Sequence, residues 1–358
     1  MNDRSYKPFL IELLARTTLS DYSEQIAKYI AGLTSAELAY VFVDMSFLVS
    51  AIKFVDEERW IQQKDTSKEV SFAKFVKKIL TAELSPVLFL HEFFEHSSIE
   101  GIKQASINCS EVEKLVIGAI KSKSSTDKKI FASTALKLMS ELFEFEHQLN
   151  LKKQELGLNV GLSLYRTFDR LDEVFGLDYE ADQGMVSSLT GIERLYEGAG
   201  VGVQSSYSNA LIALRYLNPA KSSRFVDLGS GYGRIGLVVG LMRPDIQFMG
   251  YEFVSHRVNI ASAAAVNLGL NQHAHFRTQD LSLIDFQIPI ADAYYIYDAF
   301  SESTYQHVLA QLVEISRKKK ITIVTKGNAR QWLQSAGQKG NWSHPQEFDN
   351  GNLCFFRS

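Results

Sequence analysis

Four carboxylates follow short runs of β-forming residues in the second half of the chain. Asp227 comes after Phe225-Val226, Glu252 after Phe248-Met249-Gly250-Tyr251, Asp280 after His275-Phe276-Arg277, and Asp298 after Tyr294-Tyr295-Ile296-Tyr297. Between the first two lies Gly229-Ser230-Gly231-Tyr232-Gly233-Arg234, a turn with glycine at every other position. Alternate glycines let the backbone take positive φ and let a ligand lie on the main chain, while a helix beginning there supplies free N–H groups. Such a site binds through backbone more than side chains. In nucleotide-binding α/β folds an acid roughly 20 residues further on, at the end of the second strand, takes the ribose hydroxyls. Glu252 stands 25 residues after Asp227 and has that position. A nicotinamide fingerprint needs G-x-G-x-x-G, and Arg234 occupies the place of its third glycine, so the dinucleotide pattern fails.

These residues need strands to present them. The glycine turn is followed by Arg234-Ile-Gly-Leu-Val-Val-Gly-Leu-Met-Arg243, an apolar helical pattern that stops before Pro244. Further helical runs are expected at about 254–268 and 302–315, with a short strand at His275-Phe276-Arg277 and others at Ala293–Tyr297 and Ile321–Thr325. The chain ends in a hairpin of Trp342–Phe348 and Leu353–Phe356 joined by Asp349-Asn350-Gly351-Asn352. Alternation of strand and helix after Ser222 predicts an α/β, doubly wound sheet, its first five strands parallel. Residues 1–150 read as an all-α domain, from Phe9–Ala15, Ile26–Ile30, Leu38–Val43 and Phe72–Leu80. Ser85-Pro86 reads as a helix start, and Ser110 with Glu113 as a capping box. Residues 151–195 read as a helical connector and linker, and 196–358 as the domain that carries the site.

Val226-Asp227-Leu228-Gly229-Ser230-Gly231-Tyr232-Gly233 resembles the first motif of the class I, seven-strand, Rossmann-like S-adenosylmethionine-dependent methyltransferases. The resemblance covers about residues 195–358. It implies seven strands with a C-terminal antiparallel hairpin, S-adenosyl-L-methionine as cofactor, and methyl transfer as activity. The residues it implies for the cofactor are Asp227, Gly229, Ser230, Gly231, Gly233, Glu252 and Phe253. Asp280 would take the adenine amino group, with Leu281 against the ring, and Asp298 would stand where the methyl group is delivered. Tyr297 and Asp298 are the catalytic candidates, able to help an amine acceptor lose its proton. Gln204, Ser205, Ser206 and Tyr207 are candidates for the substrate side, an ordinary helix cap being the competing role for Ser205 or Ser206. The Asn/Asp-Pro-Pro-Tyr/Phe signature of enzymes that methylate exocyclic or amide nitrogens is absent, since the chain reads Asp298-Ala299-Phe300-Ser301. A shorter likeness, Asp227 through Ile235, is to the seven-strand protein-lysine methyltransferases. The acceptor is left unidentified: a protein amine or a small molecule is favoured over nucleic acid, and RNA stays as an alternative substrate class. A non-catalytic cofactor sensor or interaction scaffold is the alternative.

Composition narrows the field. The 358 residues carry a net charge of −3, which disfavours a dedicated nucleic-acid binder. Residues 190–358 hold 16 basic against 13 acidic side chains, leaving 22 against 28 in the remainder, so the helical part is the acidic one. Two cysteines, Cys109 and Cys354, are too few for a disulfide scaffold and fit a cytoplasmic setting. The N-terminal residues lack the layout of a signal peptide. The apolar run Leu38–Phe54 is interrupted by Asp44 and Lys53 and is expected to fall short of a membrane span. In His91-Glu92-Phe93-Phe94-Glu95-His96 the histidines are five apart, which turns them onto different helix faces, so no metal is expected. Arg317-Lys318-Lys319-Lys320 reads as a solvated basic turn.

Overall fold

The computed structural model of the chain describes residues 23–66, 99–157, 168–183, 204–298, 300–327, 329–337, 342–348 and 351–358. The chain divides into two units, Met1–Phe168 and Asp169–Ser358. The boundary lies within the expected connector, so residues 169–183 belong with the sheet.

In the first unit the described helices are α1 (Ser23–Ala31), α2 (Ser35–Thr66), α3 (Ile99–Lys121) and α4 (Ser125–Glu155). Their core is aromatic: Phe42 packs on Phe131 at 5.6 Å between centroids, and Phe143 meets Phe168 edge-on at 5.7 Å. Ser124 caps α4 by accepting from the Asp127 backbone N–H. Ser110 does not cap a helix, because α3 runs unbroken through it and leaves no orphan N–H there. Glu113 instead accepts a buried hydrogen bond from Ser46 Oγ. Asp44 and Lys53 do not break α2 either. By length and composition this helix could cross a membrane, but 78% of its apolar window is buried inside the protein, and core helices of that kind pass the same test. The runs Phe9–Ala15, Phe72–Leu80 and Ser85-Pro86, and the His91–His96 motif, lie outside the described residues.

The second unit begins with two short helices, α5 (Leu171–Phe175) and α6 (Glu180–Gln183), then α7 (Tyr207–Leu217). From there strands and helices alternate: β1 (Arg224–Leu228), α8 (Arg234–Met242), β2 (Gln247–Glu252), α9 (Ser255–Asn267), β3 (Ala274–Thr278), β4 (Ala293–Tyr297), α10 (Glu302–Lys318), β5 (Thr322–Lys326), α11 (Ala329–Gly337), β6 (Gln346–Phe348) and β7 (Leu353–Arg357). The seven-stranded sheet has the order β3-β2-β1-β4-β5-β7-β6. Strands β1 to β5 run parallel, and β7 pairs antiparallel with both β5 and β6. The sheet is thus doubly wound and mostly parallel, as the alternation predicts. The final hairpin is shorter than expected on one side, where Trp342–Pro345 are not strand. Arg317 and Lys318 are not in a turn but in the last turn of α10, where positive charge complements the helix dipole.

Alternation along β1 sorts the two faces. Val226 and Leu228 join Tyr294, Ile296, Ile323 and the inner side of α10 in one buried cluster. On the opposite face Phe225, Phe248 and Phe276 form a row across β1, β2 and β3, with centroid spacings of 5.7 and 5.8 Å. Asp227 shares that second face, so the glycine turn and its acid open on the side covered by α8 and α9. The strand order reverses between β1 and β4, which bracket the crevice where open α/β sheets bind ligands.

Candidate functional site

The site grows out of the carboxyl end of β1. Gly229, Gly231 and Gly233 all take left-handed φ, at 96°, 53° and 81°. At Gly233 any side chain is barred as well, because a Cβ would lie 2.7 Å from Ala261 Cβ and from the Phe276 ring. The turn folds onto β2 rather than standing clear of it. The N–H groups of Gly229 and Ser230 both donate to the Tyr251 carbonyl, at 2.9 and 2.8 Å, and Gly233 N–H donates to the Ser230 carbonyl. Gly231 N–H donates to Glu252 Oε2 at 2.9 Å. Four N–H groups of the turn are therefore spent inside the protein, and the free donors expected of the helix start are left to the first turn of α8, from Arg234 onward. A diphosphate needs such donors, and here it would also face buried carboxylates. A neutral or cationic ligand suits the surroundings better.

Those carboxylates are Asp227 and Glu252. Asp227 is 2% exposed, and its Oδ1, like Ser230 Oγ, has no hydrogen-bond partner among the described residues. Burial, with the Glu252 charge adding to it, holds the Asp227 carboxyl well above the usual range. Glu252 is buried too, and burial raises it; Arg257 and the N–H groups of Val254 and Gly231 work the other way. Val254 N–H donates to Glu252 Oε1 at 3.0 Å, so each carboxylate oxygen already holds one backbone donor. Gly250 makes the arrangement fit, since a Cβ there would sit 2.7 Å from Ser230 Oγ.

Beyond β3, Gln279 N–H donates to the Glu252 carbonyl at 2.9 Å and ties the two strand ends together. Asp280 follows, with Oδ1 accepting from Ser282 N–H and Oγ at 2.8 and 2.6 Å. Leu281 is buried and Phe253, next to Glu252, is 42% exposed. At the far side, Asp298 takes a left-handed φ of 31° beside Gly327, whose own φ is 69°. The Asp298 carboxylate occupies the space that a side chain at Gly327 would need. Left-handed backbone at a non-glycine residue costs on the order of 1 to 3 kcal/mol and concentrates at functional sites. In register, Asp227 pairs with Tyr295 and Tyr297 with Lys326, so the four side chains share one face. The Lys326 ammonium lies 4.0 Å from the centroid of the Tyr297 ring.

The four substrate-side candidates are placed differently from one another. The Gln204 amide lies against Gly231, 3.1 Å from where a Cβ would be, and so borders the turn itself. Ser205 Oγ shares a 2.8 Å hydrogen bond with the Tyr295 hydroxyl beneath it. Ser206 is the cap of α7, accepting from Asn209 N–H. Tyr207 is buried and its hydroxyl donates to Asp172 at 2.6 Å. Residues 184–203, which precede Gln204, lie outside the described residues.

Sequence reasoning missed the groups that brace the site. Arg234, the residue that spoiled the dinucleotide pattern, is 2% exposed. Its guanidinium donates to both oxygens of Asp172 and to the Ser205 carbonyl, pairs with Asp169 at 3.1 Å, and lies 4.6 Å over the Tyr207 ring. Burial opposes its charge, and Tyr207, Asp172 and Tyr179 outweigh that effect. A second arginine, Arg257 in α9, makes a two-pronged contact with Asp182 at 3.1 and 3.0 Å. Residues 169–183 are thus a strap held by two buried ion pairs. The readable signals were an arginine within an otherwise apolar helix start, and aspartates at 169, 172 and 182.

No family model matches the chain, and no curated protein does. Among solved structures it is similar to TrmN from Thermus thermophilus, at 17% identity and a TM-score of 0.35 over 43% of this chain and 48% of that one. An RNA methyltransferase from Salinibacter ruber, in complex with S-adenosyl-L-homocysteine, aligns at 20% identity and a TM-score of 0.34, covering 43% and 92%. A TehB-like SAM-dependent methyltransferase from Corynebacterium glutamicum aligns at 15% and 0.33, covering 45% and 91%. The chain spans about half the length of the first of these, and likeness at such identities concerns the fold alone. The sheet unit is a seven-stranded, mostly parallel, doubly wound α/β domain whose last strand pair is antiparallel.

Proposed function

We propose that the sheet unit binds S-adenosyl-L-methionine and transfers its methyl group to an acceptor at the β4–β5 edge. The observation that carries this reading is the set of acids at consecutive strand ends around a glycine turn four of whose N–H groups are already used. Such a site favours a ligand with hydroxyls and positive charge and disfavours a diphosphate. Glu252 would accept from the ribose hydroxyls. Asp280 and Leu281 would hold the base, with Phe253 against its edge, while Asp227, Ser230 and Gly231 would face the amino-acid end. The partnerless buried Asp227 Oδ1 and Ser230 Oγ are polar atoms for which this ligand has partners. When bound, the cofactor supplies a methyl group already activated on a sulfonium.

What remains for the protein is alignment, exclusion of water and, for an amine acceptor, removal of a proton. Tyr297 and Asp298 stand at the strand ends where that proton would be taken, and Lys326 stacked on the Tyr297 ring orients it. A protein amine or a small molecule fits the residues after Asp298 better than an exocyclic base nitrogen. Calorimetry tests the cofactor: S-adenosylmethionine or S-adenosylhomocysteine should bind in the micromolar range, about −8 kcal/mol, and NAD should not. NAD binding without S-adenosylmethionine binding overturns the reading. Transfer of a labelled methyl group to a component of cell extract tests catalysis, and binding without any transfer would assign a sensor or scaffold instead.

A further inference from the structure

Arg257 stands between two buried carboxylates. Its Nε and Nη2 donate to Asp182, at 3.1 and 3.0 Å, while Nη1 stops 3.7 Å from Glu252 Oε1, beyond hydrogen-bonding reach. Asp182 belongs to the strap, is 0% exposed, and is fixed from its other side by His256 Nε2 at 2.9 Å. The geometry points to Asp182 as a positioning residue for the cofactor: it draws the Arg257 guanidinium away from Glu252 and keeps that carboxylate open to ribose hydroxyls.

The inference rests on the reading of Glu252 given above. A carboxylate offers about four lone-pair sites. The Gly231 and Val254 N–H groups take two of them. A guanidinium closing on Glu252 would take the others in a two-pronged contact, the strongest kind a carboxylate makes with a side chain. Among the described residues the carboxylates paired with Arg257 are Asp182 and Glu252, its guanidinium also lying 5.7 Å over the Tyr232 ring, so the gap to Glu252 stays open because the fork of Arg257 is already filled. Asp182 fills it, and the same pair anchors the strap. Arg257 then lends Glu252 positive potential without obstructing it.

The test is calorimetric affinity for S-adenosylhomocysteine in the full chain at pH 8, with thermal melting to verify the fold. Asp182→Asn keeps the shape and removes the charge that holds Arg257; affinity should fall about tenfold, the loss of roughly one charge-assisted hydrogen bond. Adding Arg257→Gln to that variant removes the competing cation and should restore affinity to within about threefold of the parent. A purely structural strap predicts the reverse, because losing both anchors harms it more than losing one. Unchanged affinity in D182N, or a double variant no better than D182N, overturns the proposal. Should D182N fail to fold, Asp182→Glu retains the charge and pushes the guanidinium toward Glu252. It should weaken binding and be rescued by R257Q, and unchanged binding there also overturns the proposal. Glu252→Ala serves as the separate control: binding equal to the parent in that variant removes the ribose reading itself.

Discussion

Glu252 holds two backbone N–H groups and, in the proposed reading, the ribose hydroxyls, and its variants test both. If it accepts from both ribose hydroxyls, it makes two charge-assisted hydrogen bonds worth roughly 1.5 to 3 kcal/mol each. Glu252→Ala should then weaken S-adenosylhomocysteine about tenfold to a thousandfold, since 1.4 kcal/mol is about a factor of ten. The carboxylate also holds the Gly231 and Val254 N–H groups, so Glu252→Ala should lower the melting temperature as well. Glu252→Gln, which keeps one acceptor oxygen, should fall between on both measures. Calorimetric affinity equal to the parent in Glu252→Ala would move the ribose contact elsewhere. Asp227 makes a different prediction, about pH. Its carboxyl is raised above the unfolded value by burial and by Glu252, so the folded protein holds this proton more tightly than the unfolded chain. The stability it contributes is full below the ordinary aspartate pKa, about 3.9, and is lost as pH rises through the raised value. Asp227→Asn removes that loss and also relieves Glu252. The ligand-free variant should melt progressively higher than the parent as pH climbs from about 4 toward 8. A melting difference that does not change with pH would show that Asp227 titrates normally in the fold.

At the scale of elements, the strap is held by buried charge. Arg234 and Asp172 are 2% and 4% exposed. Removing one partner of a buried pair leaves the other uncompensated and typically costs about 3 to 5 kcal/mol. Arg234→Met should destabilise the protein by that order in denaturant titration, and Arg234→Met with Asp172→Asn should recover a large part of it. A double variant less stable than the single one would mean that the pair stabilises the protein outright. The same elements show what a sequence makes readable. Every strand from β1 to β5 was legible because each is a short run of β-formers set between helical patterns, buried on both faces in β1 and β4 and alternating in the edge strand β3. The end of β1, the glycine turn and Glu252 were legible because local backbone demands select their residue types. The strap was not, because Asp172 with Arg234 and Asp182 with Arg257 pair across 62 and 75 residues, and no local pattern records such a contact. The spent N–H groups were hidden for a related reason: Gly229 and Ser230 donate to a carbonyl of the next strand, and only the folded sheet brings Tyr251 there. Ser110 failed in the opposite way, as a valid capping pattern overridden by helix on both sides of it.

At the scale of the whole molecule, every candidate site residue lies in the unit that begins at Asp169, and so does each group that braces the site. That unit has its own two-sided core, with α10 over one face of the sheet and the row Phe225, Phe248, Phe276 on the other. The proposed cofactor binding is therefore expected to depend on residues 169–358 and not on the aromatic core around Phe42 and Phe131. The helical unit carries none of the candidate site residues and is the candidate for choosing the acceptor. A chain beginning at Asp169 should melt cooperatively and bind S-adenosylhomocysteine within about threefold of the full chain, which is less than 1 kcal/mol. It should lose transfer to the acceptor that the full chain labels in extract. Loss of binding along with transfer would show that the first unit supports the fold of the second. Transfer at the full rate would mean that the sheet unit selects its own acceptor, and that the helical unit does something other than present a substrate.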